Sequence, residues 1–351
     1  MRDPASLPLH LGVIGCGRVF ERFHLPAIVR VPTISLLAGC DTNRSRLAWA
    51  EHWSSPPALF DTPAELLGCP GLEAVLVLTP PGSHALNVIQ ALEAGLHVLV
   101  EKPMALDPVE ARQMAEAAHL ARRHLQVGFS RRFREPYQKL RKALQREEPL
   151  RLRRVRFELA FPVASWNAES DFLGKESHGG GVLDDVLSHQ VDLVCWLLKG
   201  GPDRVRCEVK GSSGGVSVEL EIGSVMVHCE SAHARYAERL QMELADGRVL
   251  EASGSHLGEA GSGFERWRRG RALLLDRVSL LGDRLLKRPN VSLRSFEGQL
   301  RDFVGAIRGA SSQGATPGDG LQAVEIVRAC RASVRQEGAW QAVRATAEPA
   351  E

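Results

Sequence analysis

The chain has 351 residues, 44% of them hydrophobic and 25% charged, which excludes a disordered tail protein, a collagen-like chain and a coiled-coil rod. Lys and Arg number 44 against 42 Asp and Glu, a net charge of +2 that is too small to draw nucleic acid by bulk attraction. The length is about twice a typical domain of ~150 residues, so two domains are predicted. Seven scattered cysteines form no CxxC pair and suggest neither a zinc site nor a disulfide framework but a reducing compartment. The first residues lack the features of a signal peptide, and no apolar run reaches the ~18 residues of a membrane span, so the cytoplasm is the expected location.

Residues 9–16 form a short, mostly apolar run that ends at Gly17, and 18–30 carry Val19, Phe23, Leu25 and Ile28 on one helical face. The pattern repeats as strand 34–40, helix 43–53, strand 74–79, helix 83–94 and strand 97–100. Alternation at this spacing predicts βαβ units and a parallel sheet. Asp107 and Pro108 supply a cap and a first helical residue for an Ala-rich helix to about 123, and 125–129 reads as one more strand. The second half turns to short alternating or β-branched stretches at 151–161, 204–210, 216–222, 225–230, 239–244 and 248–252, with Asp246-Gly247 as a hairpin signal. Helices are expected at 182–198, 295–308 and 321–336, with a Gly/Ser loop over 309–320. The predicted architecture is therefore a doubly wound α/β domain over 1–130, an α+β domain with a large, mainly antiparallel sheet over 131–345, and a frayed tail at 346–351.

Gly-x-Gly occurs four times, beginning at Gly15, Gly179, Gly261 and Gly318, so context must select one. Only Gly15 and Gly17 follow an apolar strand, open a helix and have an acidic residue, Asp41, at the end of the next strand. Gly15 would permit the tight turn and Gly17 the approach of a pyrophosphate to the helix N-terminus at Arg18 and Val19. Asp41 would accept the adenosine ribose hydroxyls and favours NAD. Arg44 and Arg46 could neutralise a 2′-phosphate, so NADP stays open. Phe20 stands where this fingerprint usually has a small residue.

Glu101-Lys102-Pro103 lies at the carboxyl end of a predicted parallel strand, where doubly wound sheets bind ligands. In the block from Gly179 to Asp192, Asp185 and His189 are four apart and share a helical face, and an imidazole is suited to proton exchange near neutral pH. A metal held by Asp185, His189 and Asp192 is the competing reading; nothing else in the sequence supports it, and no metal is predicted.

Taken together, the stretches 12–18, 79–84, 94–103, 127–133 and 179–192 resemble, in order and spacing, the Gfo/Idh/MocA oxidoreductase family. The resemblance implies an N-terminal Rossmann domain and a C-terminal domain whose open sheet joins copies into a homo-oligomer. It implies that Lys102, Asp185 and His189 are catalytic and that Thr79, Pro80, His84 and Glu101 lie along the nicotinamide side of the cofactor. The implied reaction moves a hydride between nicotinamide and a carbinol or carbonyl carbon of a sugar, polyol or derivative, nucleotide-linked ones included. His189 would carry the hydroxyl proton, Lys102 would hold the reacting oxygen, and Asp185 would orient His189 or bind a neighbouring hydroxyl. Arg132, Trp166 and Asn167 are the candidates for reading the substrate. Leu187 stands where the family commonly has glycine.

Two other functions fit the same fold: a catalytically silent cofactor-binding sensor, and redox-neutral glycoside cleavage with held NAD. Retention of all three catalytic side chains disfavours the sensor. Residues 265–288 contain eight basic side chains against three acidic ones with leucines at helical spacing, read as a packed surface helix, with an anionic substrate or a membrane surface as the sharper alternatives.

Overall fold

Six short apolar strands form one all-parallel sheet: β1 (Leu9–Ile14), β2 (Ile34–Cys40), β3 (Ala58–Phe60), β4 (Ala74–Val77), β5 (His97–Val100) and β6 (Leu125–Val127), in the order β3-β2-β1-β4-β5-β6. The computed structural model describes residues 7–52, 56–145, 152–161, 181–211, 214–253, 256–259 and 291–343. Strands β4 and β5 are buried almost throughout, as expected for strands covered on both faces. The strand order reverses between β1 and β4, so the loops after β1, β4, β5 and β6 gather at one carboxyl edge.

The helix entered after Gly17 passes through a π-helical turn, Phe20–His24, into α1 (Leu25–Val29). The helix expected over 43–53 is a 3₁₀ segment, Arg44–His52. A short helix, α2 (Pro63–Leu67), not expected from the sequence, is opened by reciprocal capping of Thr62 and Glu65. Helices α3 (His84–Glu93) and α4 (Pro108–Ala121) complete this layer, and Asp107 caps α4 as expected. Helix α5 (Glu135–Leu144), also unanticipated, follows the last parallel strand.

The second sheet has eight strands: β7 (Leu152–Ala160), β8 (Arg204–Lys210), β9 (Gly215–Ile222), β10 (Val225–Ala232), β11 (Ala237–Leu244), β12 (Val249–Ser253), β13 (His256–Glu259) and β14 (Gln341–Ala342), in the order β13-β12-β11-β7-β10-β9-β8-β14. Every pair is antiparallel except β7 with β10. Alternation sends Val216, Val218, Leu220 and Ile222 to the covered face and Ser217, Glu219 and Glu221 to the other. A second π-helical turn, Leu183–Leu187, leads into α6 (Ser188–Leu198).

Two late helices tie the layers together. Helix α7 (Val291–Ile307) returns to the first sheet, where Leu300, Phe303 and Val304 join Leu11, Phe20, Ile28 and Leu36 in one apolar cluster. Helix α8 (Pro317–Arg335) begins inside the stretch expected to be loop, because Thr316 and Asp319 cap each other reciprocally. Gly320 lets α8 press on the first domain: a Cβ there would lie 2.6 Å from Met104 Sδ and 2.8 Å from Val127 Cγ2. A second apolar cluster runs from Val75 and Val98 through Met104, Phe129 and Tyr137 to Phe157 and Leu193, so both sheets share one core. Residues on either side of the carboxyl edge are thereby held in fixed relation.

Candidate active site

The turn after β1 has the shape a dinucleotide requires. Gly15 adopts φ +95°, and a Cβ there would lie 2.8 Å from the Leu78 carbonyl carbon and 2.9 Å from Thr79 N. A Cβ at Gly17 would meet only Arg46 Nη1, at 3.7 Å, leaving the helix N-terminus open to a phosphate. Phe20 is fully buried and meets Trp49 edge-on at a centroid distance of 5.0 Å. Trp49 in turn fills the space that Gly39 leaves, since a Cβ on Gly39 would lie 2.9 Å from its Cζ2. The large third fingerprint residue is thus absorbed by packing on Trp49.

Asp41 is buried at the end of β2 and held by two backbone donors, Cys16 N–H to Oδ2 at 2.9 Å and Asn43 N–H to Oδ1 at 2.8 Å. Arg46 stands 3.8 Å from Asp41, whereas Arg44 turns away to Asp61 at 2.8 Å. His84 is completely buried between two loops of the carboxyl edge, its ring nitrogens 2.7 Å from the Thr79 carbonyl and 2.9 Å from that of Pro103. Burial lowers its pKa, so the neutral ring donates to one carbonyl only. Ser83 and Asn87 both donate to Thr79 Oγ1, at 2.9 and 3.3 Å. His84 braces the loops after β4 and β5, and Thr79 is fixed by its neighbours.

Glu101 and Lys102 leave β5 side by side and are met by the two π-helical turns. From the first, buried His24 donates through Nε2 to Glu101 Oε1 at 2.9 Å, while Glu101 Oε2 accepts the Lys102 N–H at 3.1 Å. From the second, Asp185 takes the Lys102 ammonium twice: on Oδ1 at 2.7 Å and on its own carbonyl at 3.0 Å. His233, just past β10, donates to Asp185 Oδ2 at 3.2 Å. Burial, the largest influence, would raise the Asp185 pKa, but the Lys102 ammonium and the His233 hydrogen bond bring it down to about 2.

His189, one turn on, is 8% exposed, and among the described residues neither ring nitrogen has a hydrogen-bond partner. The expectation that Asp185 orients His189 is therefore not the arrangement found. Burial first, then the charges of Arg131, Lys102 and Arg134, holds the His189 pKa well below its ordinary value. The imidazole is neutral at neutral pH and free to accept a proton. Phe129 and Phe161 flank it edge-on, both at 6.4 Å.

Of the predicted substrate residues, Arg132 is not brought to this cluster. Its buried guanidinium is spent on Asp192, with Nε 3.1 Å from both carboxylate oxygens, and reaches Asp319 at 3.3 Å. That pairing also removes Asp192 from any shared metal site, and no metal-holding group of His, Cys, Asp or Glu exists among the described residues. The neighbouring Arg131, which the sequence reading passed over, lies at the site instead. Its guanidinium covers Phe161 at 5.9 Å, stands 3.6 Å from Glu238, and among the described residues makes no hydrogen bond through its buried Nε. Glu238 is shared with Arg134, Tyr137 and Tyr236, and the arginines hold it at about 2 although burial alone would raise it. Leu187 is fully buried in the shared core. Trp166, Asn167, the segment 265–288 and the tail 346–351 lie outside the described residues.

A strand order of this kind, with a glycine cradle and an acidic residue after β2, is that of a dinucleotide-binding domain, and the lysine after β5 stands at its ligand-binding edge. The family model described as Oxidoreductase family, NAD-binding Rossmann fold matches residues 9–129, and that described as GFO/IDH/MocA C-terminal domain matches 137–255. The chain belongs to the Gfo/Idh/MocA oxidoreductase family. It is 28% identical over 351 residues to an inositol 2-dehydrogenase of Leifsonia xyli subsp. xyli, covering 93% of this chain and 92% of that one. It is 31% identical over 196 residues to a D-glucoside 3-dehydrogenase of Escherichia coli (strain K12), covering 55% of each. Its fold is similar, at a TM-score of 0.77 and 18% identity over 96% of this chain and 99% of that one, to scyllo-inositol dehydrogenase from Lactobacillus casei with bound NAD(H) and scyllo-inositol. The chain is thus an oxidoreductase with an NAD-binding Rossmann domain. Among the described residues no helix is long and apolar enough to cross a membrane.

Proposed function

We propose that the protein oxidises a secondary hydroxyl of a polyol or sugar ring with NAD, and that Lys102, Asp185 and His189 carry the chemistry. The observation that supports this most is the Lys102 ammonium held twice by Asp185 at 2.7 and 3.0 Å beside a neutral His189 with no described partner. A bound nicotinamide supplies the hydride acceptor. Lys102 uses two N–H groups on Asp185 and keeps the third for the reacting oxygen, where it stabilises negative charge as the hydroxyl proton departs. His189 takes that proton and returns it in the reverse direction. Arg131, buried and only loosely neutralised by Glu238, reads a further substrate oxygen in the role first expected of Arg132.

NAD is favoured over NADP because Asp41 is fixed with its carboxylate at the end of β2 and Arg44 is engaged by Asp61. The relatives' substrates make inositols and glucosides the first compounds to try. The division of labour we favour gives the cofactor to the first sheet and the substrate to the second, whose outward, charge-paired face is a contact between copies; light scattering of the purified protein tests the latter.

The test is a panel of myo-inositol, scyllo-inositol, methyl D-glucosides and a UDP-sugar with NAD or NADP, followed at the nicotinamide absorbance. Turnover with NAD on a free polyol or glucoside, abolished in Lys102→Ala and His189→Ala, is the expected result. Absence of binding to either cofactor defeats the reading, and unchanged turnover in both variants defeats the catalytic assignment.

A further inference from the structure

One imidazole at the site, His233, takes no part in the proton or hydride transfer. His233 follows β10 directly, and the pairing of Ala232 with Ala160 sets it beside Phe161 across the parallel strands. The Phe161 ring lies 6.2 Å from His233 and 6.4 Å from His189, so an aromatic wedge separates the two imidazoles. His233 is mostly buried, with 14% of its side chain exposed. Its Nε2 reaches Asp185 Oδ2 at 3.2 Å while Lys102 occupies Oδ1 at 2.7 Å. An ionised carboxylate has no proton to give, so the imidazole is the donor.

The two donors meet the two oxygens from different domains. Lys102 comes from the end of β5 in the parallel sheet, and His233 from the end of β10 in the other. With both bonds made, rotation of the carboxylate about its Cβ–Cγ bond breaks at least one of them. With His233 absent, Oδ1 and Oδ2 become equivalent targets for the ammonium and a further acceptor is open to any substrate hydroxyl. Fixing the plane of a carboxylate in this way is how a group outside the reaction sets the direction of one inside it.

We propose that His233 is a positioning residue for the reaction: by occupying Asp185 Oδ2 it fixes Asp185, and through it aims the one uncommitted N–H of Lys102 at the substrate oxygen. The same bond explains why Asp185 does not orient His189, which stays free to carry the proton. This inference rests on the catalytic roles proposed above for Lys102 and Asp185.

The experiment is a cycle of His233→Phe, Asp185→Asn and the double variant in the full-length protein, with His233→Gln as the donor-restoring control. Kinetics are read with NAD on the fastest compound of the panel above, and folding is checked by thermal melting. Histidine-¹⁵N spectra of the same proteins with NADH present give a readout that needs no substrate. His233→Phe is expected to lower kcat about tenfold, the order of one hydrogen bond to a charged group, with KM and the NADH Kd within about twofold. His233→Gln should recover most of the loss, and His233→Phe should cost little more on top of Asp185→Asn. The His233 Nε2–H resonance should shift in Asp185→Asn. Additive losses, a glutamine variant as slow as the phenylalanine one, or a His233 resonance indifferent to Asp185→Asn would overturn the proposal. A wild-type protein that turns over nothing in the panel defeats the substrate reading alone, since the spectra still decide whether His233 holds Asp185.

Discussion

Glu101 and Lys102 are chain neighbours, each gripped by a side chain from a π-helical turn, yet the two grips differ in wetness. On one side the gripping side chain, His24, is fully buried and capped edge-on by Phe296 of α7 at 4.8 Å, although Glu101 itself keeps 12% of its side-chain surface exposed. On the other, Lys102, Asp185 and His233 each keep between 14% and 17% of their side-chain surface exposed. A π turn displaces the regular helical ladder and turns a side chain out of its usual register, and such turns recur at functional sites. Here the same local device serves two ends: where solvent is excluded it anchors the strand end, and where an opening remains it presents a reactive amine. The lesson is that the accessible partner, more than the backbone motif, separates a working pair from a structural one.

The sharpest way to break this comparison is to remove one member from each side. Lys102→Met should lower kcat by about a thousandfold, the scale of losing a charge-stabilising donor, far beyond the loss of stability that comes from leaving Asp185 without its ammonium. His24→Ala should behave in the opposite sense. It leaves a half-buried carboxylate without its side-chain donor, at a cost of about 2 kcal/mol in urea unfolding, with kcat within about threefold of wild type. If His24→Ala slows turnover as severely as Lys102→Met, the two grips are not distinct.

Acid is a gentler perturbation of the same region. Burial lowers the pKa of His84 and His189, and takes His97 down to about 4. The unfolded chain therefore binds more protons on these rings below about 6.5, and stability falls as pH drops from there toward about 4. Asp185 and Glu238, held at about 2, contribute stability that is complete above their ordinary values and is lost only as pH falls toward about 2. Melting temperatures from pH 8 to pH 3 should decline first through the imidazole window, and His189→Gln should flatten part of that decline.

The parallel sheet was legible because buried strands and glycine turns leave strong periodic marks, and Lys102 was legible from its place at a strand end. The spacing of Asp185 and His189 was legible too, but its meaning was not. Residues four apart on an ordinary helix share a face, whereas the π turn at Leu183–Leu187 delivers Asp185 to Lys102 and His233 instead. Adjacent arginines carry no sign of which one faces inward, and it is Arg132 that Asp192 claims. His24 and His233 are single histidines whose partners lie 77 and 48 residues away, so nothing local marks them. The start of α8 could have been found: Thr316, Pro317 and Asp319 form a capping signal that Gly318 and Gly320 obscured.

The return of α7 to the first sheet also bears on how the protein is made. Leu11, Phe20 and Ile28, near the beginning of the chain, complete their apolar cluster with Leu300, Phe303 and Val304, and Arg301 donates to the Arg30 carbonyl at 3.0 Å. During synthesis the cofactor cradle therefore waits, with part of its apolar support uncovered, until almost six-sevenths of the 351 residues have left the ribosome. A nascent chain stalled before α7 should be a chaperone client and should bind the dinucleotide poorly, although every residue of the cradle itself has long since emerged.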